Sequence, residues 1–202
     1  MFVRTLYVTG DPGLLDGAVD RLTADRDFLT GQPGFRGFGL FKDGELGKLL
    51  GVTWWEGEQA RRDSDEQLRD RRRALLEPFA ATVAAADYEA AVFHRIRRPG
   101  AGAAMRLSRL EIAPEDVDLL VETFRSTTLP RLETLDGLIG TTLFVDRERG
   151  RGTVGVMFAD RGALAASRSG QAAARGESAA KAHVTVTGLE EFDVVFADVR
   201  TD

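Results

Sequence analysis

Apolar and polar positions change their period several times along the chain, and each change predicts an element. Residues 2–8 form a β-type run. Asp11 then predicts an N-cap with Pro12 at the first helical position. Leu15, Val19 and Leu22 follow at helical spacing, with Phe28 and Leu29 near the end of that helix. Gly31, Pro33 and Gly34 break it. Residues 35–42 predict a strand, Asp43-Gly44 a turn, and residues 46–55 the second strand of a hairpin. Ser64 with Gln67 reads as a capping box. The helix it would open carries Leu68, Leu75, Leu76 and Phe79, and Pro78 should kink or break it. Residues 88–96 predict the last strand, which completes the order β-α-β-β-α-β.

The same order returns in the second half. Residues 105–112 predict a strand. Val117, Leu120, Val121 and Phe124 share one helical face. Residues 138–145 and 153–158 form a hairpin across a charged turn, an Ala-rich helix follows over about 162–181, and a final strand lies within 192–199. Individual residues agree at a near-constant offset. Gly34 and Gly37 meet Gly137 and Gly140, Asp43 meets Asp146, Trp54-Trp55 meet Met157-Phe158, Ala60 meets Ala163, and Ser64 meets Ser167. The expectation is a tandem repeat: a first unit over 1–98, a linker over 99–104 and a second, diverged unit over 105–202. Segments such as Leu49-Leu50-Gly51-Val52 are apolar on both faces, as in a strand covered on both sides. The predicted class is therefore α+β, with two tandem ferredoxin-like units packed sheet to sheet and helices outside.

Composition narrows the function. The net charge of −5 disfavours a general nucleic-acid binder, which needs excess Lys and Arg against phosphates. With no cysteine and two histidines, neither a thiolate nor a histidine-rich metal centre can be built. Neither a signal-peptide pattern nor a run approaching the ~20 apolar residues of a membrane span is present. A cytoplasmic protein that binds neither membrane nor nucleic acid is expected. No phosphate loop, nucleotide fingerprint or nucleophile elbow is found.

The run Pro33-Gly34-Phe35-Arg36-Gly37, the strand ending Trp54-Trp55-Glu56, and then Glu58-Gln59-Ala60 and Ser64 together resemble the antibiotic biosynthesis monooxygenase superfamily. The likeness covers the first half well and the second loosely. It implies a dimeric α+β barrel, here formed within one chain as a pseudo-dimer, with a further homodimer possible. It also implies a pocket between the sheet and helices of a unit. The family includes cofactor-free oxygenases of polycyclic phenols and haem-degrading enzymes. In the haem-degrading type, Trp55 matches a pocket tryptophan. That type also uses a histidine on the following helix and an asparagine on the first strand. Here the region 65–85 holds no histidine and the chain no asparagine.

Four residues are candidates for a site, which is expected in the first half. Trp55 could stack on a planar ligand or fill the gap between sheet and helix. His94 could serve as a general base toward a phenol, or hold a structural hydrogen bond. On the first strand, Tyr7 alternates with Thr5 and Val3, while Arg4 shares the other face with Phe2 and Leu6. Tyr7 could bond a substrate oxygen and Arg4 could hold an anion; one of the two faces should meet the pocket. The run Arg69-Asp70-Arg71-Arg72-Arg73 reads as a solvated helical face. The functional expectation is a cofactor-independent monooxygenase-like protein, needing neither cofactor nor metal, that acts on or binds a hydrophobic aromatic small molecule. Two alternatives stand beside it: a non-catalytic binder of a small molecule or a partner, and a haem-binding or haem-degrading protein.

Overall fold

The computed structural model describes residues 1–200 and resolves two compact units. One comprises Met1–Asp87 with residues 195–200, the other Tyr88–Val194. The α+β class expected from the sequence holds, and each half runs in the expected order of elements. No helix among the described residues is long and apolar enough to cross a membrane.

In the first unit, strand β1 (Phe2–Gly10) leads into a short 3-10 turn and helix α1 (Leu15–Ala24), followed by the short helix α2 (Arg26–Thr30). Asp11 caps this start as expected, its carboxylate accepting from the Gly13 N–H at 2.8 Å, with Pro12 first in the turn. Strands β2 (Phe35–Asp43) and β3 (Lys48–Trp55) form the hairpin, and β3 also pairs with β1. Helix α3 (Glu58–Leu76) crosses back, and the early part of β4 (Ala80–Arg95) lies beside β1. The late part of β8 (Thr185–Val199) lies beside β2. The core lies under the helices and includes Val8, Leu15, Phe38, Leu40, Leu49, Trp55 and Leu68.

In the second unit, β5 (Ala104–Glu111), β6 (Leu138–Asp146) and β7 (Arg151–Phe158) repeat the arrangement of β1, β2 and β3. Helices α4 (Val117–Thr123) and α5 (Leu129–Glu133) are joined by a π-helical turn, Phe124–Thr128. Helices α6 (Arg161–Ala166) and α7 (Arg168–Ala182) follow, and the late part of β4 and early part of β8 flank the sheet. Its core centres on Leu120, Phe124, Leu143 and Phe158.

Local geometry recurs at the offset seen in the sequence. Gly34 and Gly137 both hold positive φ, +70° and +77°, and a Cβ on either would lie 2.6 Å from Ala60 and Ala163 respectively. Their carbonyls accept from the Glu56 and Ala159 N–H groups, each at 2.8 Å. Only a glycine fits both the left-handed backbone and the close approach of the helix that follows the hairpin.

Several elements differ from expectation. Helix α3 starts at Glu58, six residues before Ser64. Ser64 lies inside it and donates to the Arg61 carbonyl at 2.7 Å, so it is no cap. Strand β4 starts at Ala80, well before 88, over an alanine-rich segment with little strand propensity of its own. Its neighbour β1 supplies the partners: Thr5 donates to the Ala86 carbonyl, and the Thr9 and Thr82 hydroxyls lie 2.6 Å apart. Strand β8 likewise starts at Thr185, and Ser167 divides the Ala-rich helix in two.

Candidate functional site

A slot opens on the helix side of the first unit's sheet. Alternation along β1 sends Arg4, Leu6 and Val8 into it, and alternation along β3 sends Leu49, Gly51 and Thr53. Phe38 of β2 adds an aromatic wall. Above them, α3 contributes Leu68, Arg71, Arg72 and Leu75, whose i, i+3, i+4, i+7 spacing is one helical face. Leu22, Asp25 and Leu29, from α1, α2 and the joint between them, close the side.

Gly51 gives the slot its depth. It sits in β3 between Leu6 and Leu40, and a Cβ there would come no nearer than 3.7 Å to anything, meeting Phe38 first. The position 103 residues later is Val154, which packs against the second unit's core.

One end of the slot is ionic. Arg4 makes a two-pronged bond to Asp87, at 2.8 and 3.0 Å, and Arg61 reaches the same carboxylate at 2.6 Å. Arg4 and Arg72 both also pair with Asp65, which takes a further contact from Arg69 at 3.3 Å. Burial alone would raise the Asp65 carboxyl, but the Arg72 hydrogen bond and the Arg4 and Arg72 charges hold it below the usual carboxylate range. A carboxyl depressed in the folded state stabilises above its unfolded pKa, and that contribution is lost as the pH falls through the folded value. Wild-type stability should therefore decline below about pH 4, and Asp65→Asn should lower the neutral-pH plateau and flatten that decline. Urea midpoints measured from pH 7 to pH 2.5 check this; parallel curves for the two proteins would refute it.

The mouth carries a second ion pair. Arg71 donates through Nε to the buried Asp25 at 2.6 Å and lies over the Phe28 ring at 4.0 Å. The slot encloses about 60 Å³. That is less than the ~150 Å³ of a cavity that admits benzene. A ring-sized ligand therefore needs more room than this arrangement of the slot gives.

The four candidate residues do not gather in one place. Arg4 lines the slot. Trp55 follows Thr53 on the same face of β3, at 1% exposure, with its indole N–H donating to Thr53 Oγ1 at 3.0 Å and its ring edge-on to Phe35 at 5.5 Å. It backs the slot through Thr53. Tyr7 alternates onto the opposite face of β1 from Arg4, Leu6 and Val8. His94 lies in the second unit, its Nε2 3.1 Å from Glu133 Oε1.

Sequence reasoning missed Asp25, Gly51, Arg71 and Arg72 as lining residues. Arg71 and Arg72 do not sit on a purely solvated face: Arg72 is half-buried, whereas Arg69 and Arg73 point outward. The signal was present, because they continue the helical stripe set by Leu68 and Leu75. Chemically, the lining offers an apolar groove ending in guanidinium groups, which suits a flat hydrophobic body bearing an oxygen or an anion.

No family model matches the chain. Among solved structures, a candidate monooxygenase from Lactobacillus acidophilus NCFM aligns with TM-score 0.73 and 11% identity over 98% of this chain and 96% of its own. An anthrone oxidase-like protein aligns with TM-score 0.73 and 14% identity over 100% and 93%. The haem-degrading enzyme LmHde from Listeria monocytogenes gives TM-score 0.54 and 10% identity over 96% and 99%. At such identities the likeness is one of fold, and it carries through the whole chain the α+β fold expected from the resemblance to the monooxygenases. In sequence, the chain is 27% identical to the uncharacterised protein Rv2558 of Mycobacterium tuberculosis H37Rv over 165 residues, 81% of this chain and 70% of that protein. It is 30% identical to the uncharacterised protein Rv2557 of the same strain over 172 residues, 85% of this chain and 77% of that protein. That identity, sustained over that length, makes the chain a member of the Rv2557 family.

Proposed function

We propose that the first unit binds a hydrophobic, oxygen-bearing aromatic small molecule in the slot between its sheet and helices. The observation that carries this is the slot's make-up: leucines and Phe38 along its length, with the guanidinium groups of Arg4 and Arg72 at one end. A ring lying along Phe38 and Leu6 would direct an oxygen toward that end. A phenol oxygen bound there would share the Arg4 and Arg72 guanidiniums with Asp65 and Asp87, and a phenol that ionises there is electron-rich toward dioxygen. This supports cofactor-independent, monooxygenase-like chemistry, and the fold shared with a candidate monooxygenase and an anthrone oxidase-like protein points the same way.

A specific observation favours a second reading, binding without catalysis. The single carboxylate in the slot's lining is Asp25, which is already engaged by Arg71, and no histidine stands beside it. Haem chemistry has less support, since α3 offers no histidine ligand. The recurrence of geometry at an offset of 103 residues supports a duplicated unit in which one copy kept an open slot at Gly51 and the other filled it with Val154.

The test is a fluorescence titration of Trp54→Phe protein, in which Trp55 reports alone, with polycyclic phenols, quinones and haem. Saturable quenching is expected with the phenols or quinones. Gly51→Val, which directs a branched side chain into the slot from a position where a Cβ is in ordinary contact with Phe38 and Leu6, should weaken binding at least tenfold. No saturable binding by any of these, or equal affinity in Gly51→Val, would refute the slot as the site. Oxygen uptake with the ligand that binds then separates the two readings: consumption marks an oxygenase and none marks a binder.

A further inference from the structure

The second unit holds a cluster that corresponds residue by residue to the ionic end of the slot, but its charges do not balance. Arg4, Asp65, Arg72 and Asp87 of the first unit have Arg106, Arg168, Arg175 and Glu191 at offsets of 102 to 104 residues. Two cations and two anions become three cations and one anion. Glu191 is engaged by both Arg106 and Arg168, the latter at 3.3 Å. Arg106 is itself nearly fully buried, at 5% exposure.

Arg175 is thereby left over. In the first unit Arg72 pairs with Asp65; the position matching Asp65 is Arg168, a cation. The Nη1 of Arg175 is shielded from solvent and makes no hydrogen bond. Burial, and after it the charge of Arg106, push the Arg175 guanidinium below the ordinary arginine range. A second orphan lies on the element packed against α7. Thr128, 6% exposed at the end of the π-helical turn, has a buried Oγ1 with no partner. Single π-turns inside helical segments occur frequently at functional sites. A shielded guanidinium N–H on α7 and a buried hydroxyl on the turn packed against that helix are donors in want of an acceptor, and the charge of Arg106, itself paired with Glu191, acts on the same guanidinium.

We propose that the second unit binds an oxyanion, a carboxylate or phosphate group, between α7 and the π-helical turn, held by Arg175 with Thr128 and under the field of Arg106. An oxyanion there supplies the negative charge that Asp65 supplies in the first unit. It satisfies the two orphan groups and offsets the like charges of Arg106 and Arg175. This site is separate from the slot in the first unit and stands whether or not that slot binds an aromatic ligand.

The test is thermal unfolding of the whole chain in fluoride buffer, titrated with inorganic phosphate in one arm and with benzoate in the other. Wild type should rise by roughly 5–10 °C at a hundredfold excess over Kd. Arg175→Met should abolish that rise, and Thr128→Val, a near-isosteric change that keeps the helix, should weaken the affinity several-fold. A response to phosphate alone assigns the site to phosphoryl groups. A response to benzoate alone assigns it to the carboxylate of an apolar acid. No rise in wild type with either anion overturns the proposal, as does an equal rise in Arg175→Met. Should Arg175→Met fold poorly, Thr128→Val and Arg175→Lys decide: wild-type affinity in both would overturn it too.

Discussion

Trp55→Ala should lower the thermal midpoint by roughly 6–20 °C, the largest loss expected from any single truncation in the first unit. The side chain is 1% exposed, meets Phe35 edge to face, and satisfies its indole N–H on Thr53. Removing a buried tryptophan costs about 3–5 kcal/mol through lost transfer energy and the cavity left behind. For a chain of this size, each kcal/mol corresponds to about 2–4 °C. Trp55→Phe should lose less, because the ring contact with Phe35 survives while the hydrogen bond to Thr53 is lost. Calorimetric scans of the two variants test this. A midpoint for Trp55→Ala within about 2 °C of wild type would show that the ring is not packed as described.

A second large effect is expected from a single methyl group. Gly150 sits at φ +58° between β6 and β7, and a Cβ there would lie 2.0 Å from the Ile112 carbonyl oxygen. The same two residues are tied by the Ile112 N–H donating to the Gly150 carbonyl at 2.9 Å. Gly150→Ala must adopt a left-handed backbone, which costs about 1–3 kcal/mol. It must also push apart a hydrogen-bonded junction, since backbone cannot yield as a flexible side chain can. Urea unfolding should show the combined loss. Gly44→Ala is the matched control: its Cβ meets nothing within 4 Å, and the change should stay within about 0.5 kcal/mol. Equal midpoints for the two variants would refute the strain argument. Gly47, at φ +58° with a Cβ 2.3 Å from the Gly10 carbonyl, should behave like Gly150.

Features that depend on nearest neighbours were legible in the sequence. Asp11 and Pro12 announce a helix start because a cap needs only its own next turn. Asp43 announces the hairpin because its carboxylate accepts from the N–H groups of Glu45 and Leu46, two and three residues on. What failed were features set by residues distant in the chain. Ser64 with Gln67 has the form of a cap, but the helix had already begun where Gly57 takes an extended conformation. Ala80–Ala86 has no strand signature; its partners are threonines 73 and 81 residues earlier. The site divides the same way. Alternation showed that Arg4 and Tyr7 face opposite ways, but only the placement of the helices shows that the Arg4 face is the one they cover. Arg71 and Arg72 were hidden by their charge, since paired guanidiniums can line a slot that unpaired ones would avoid.

The first unit is discontinuous in the chain, and this bears on the order of events during synthesis. Residues 195–200 lie beside β2, with the Arg200 N–H donating to the Arg36 carbonyl at 2.8 Å. While a ribosome is still making the stretch between 88 and 194, β2 lacks that neighbour. An exposed strand edge is a template for wrong pairing with other nascent chains. The first unit therefore waits, through more than a hundred residues of translation, for the segment that closes its edge. Over that interval it is the half of the protein most in need of a chaperone.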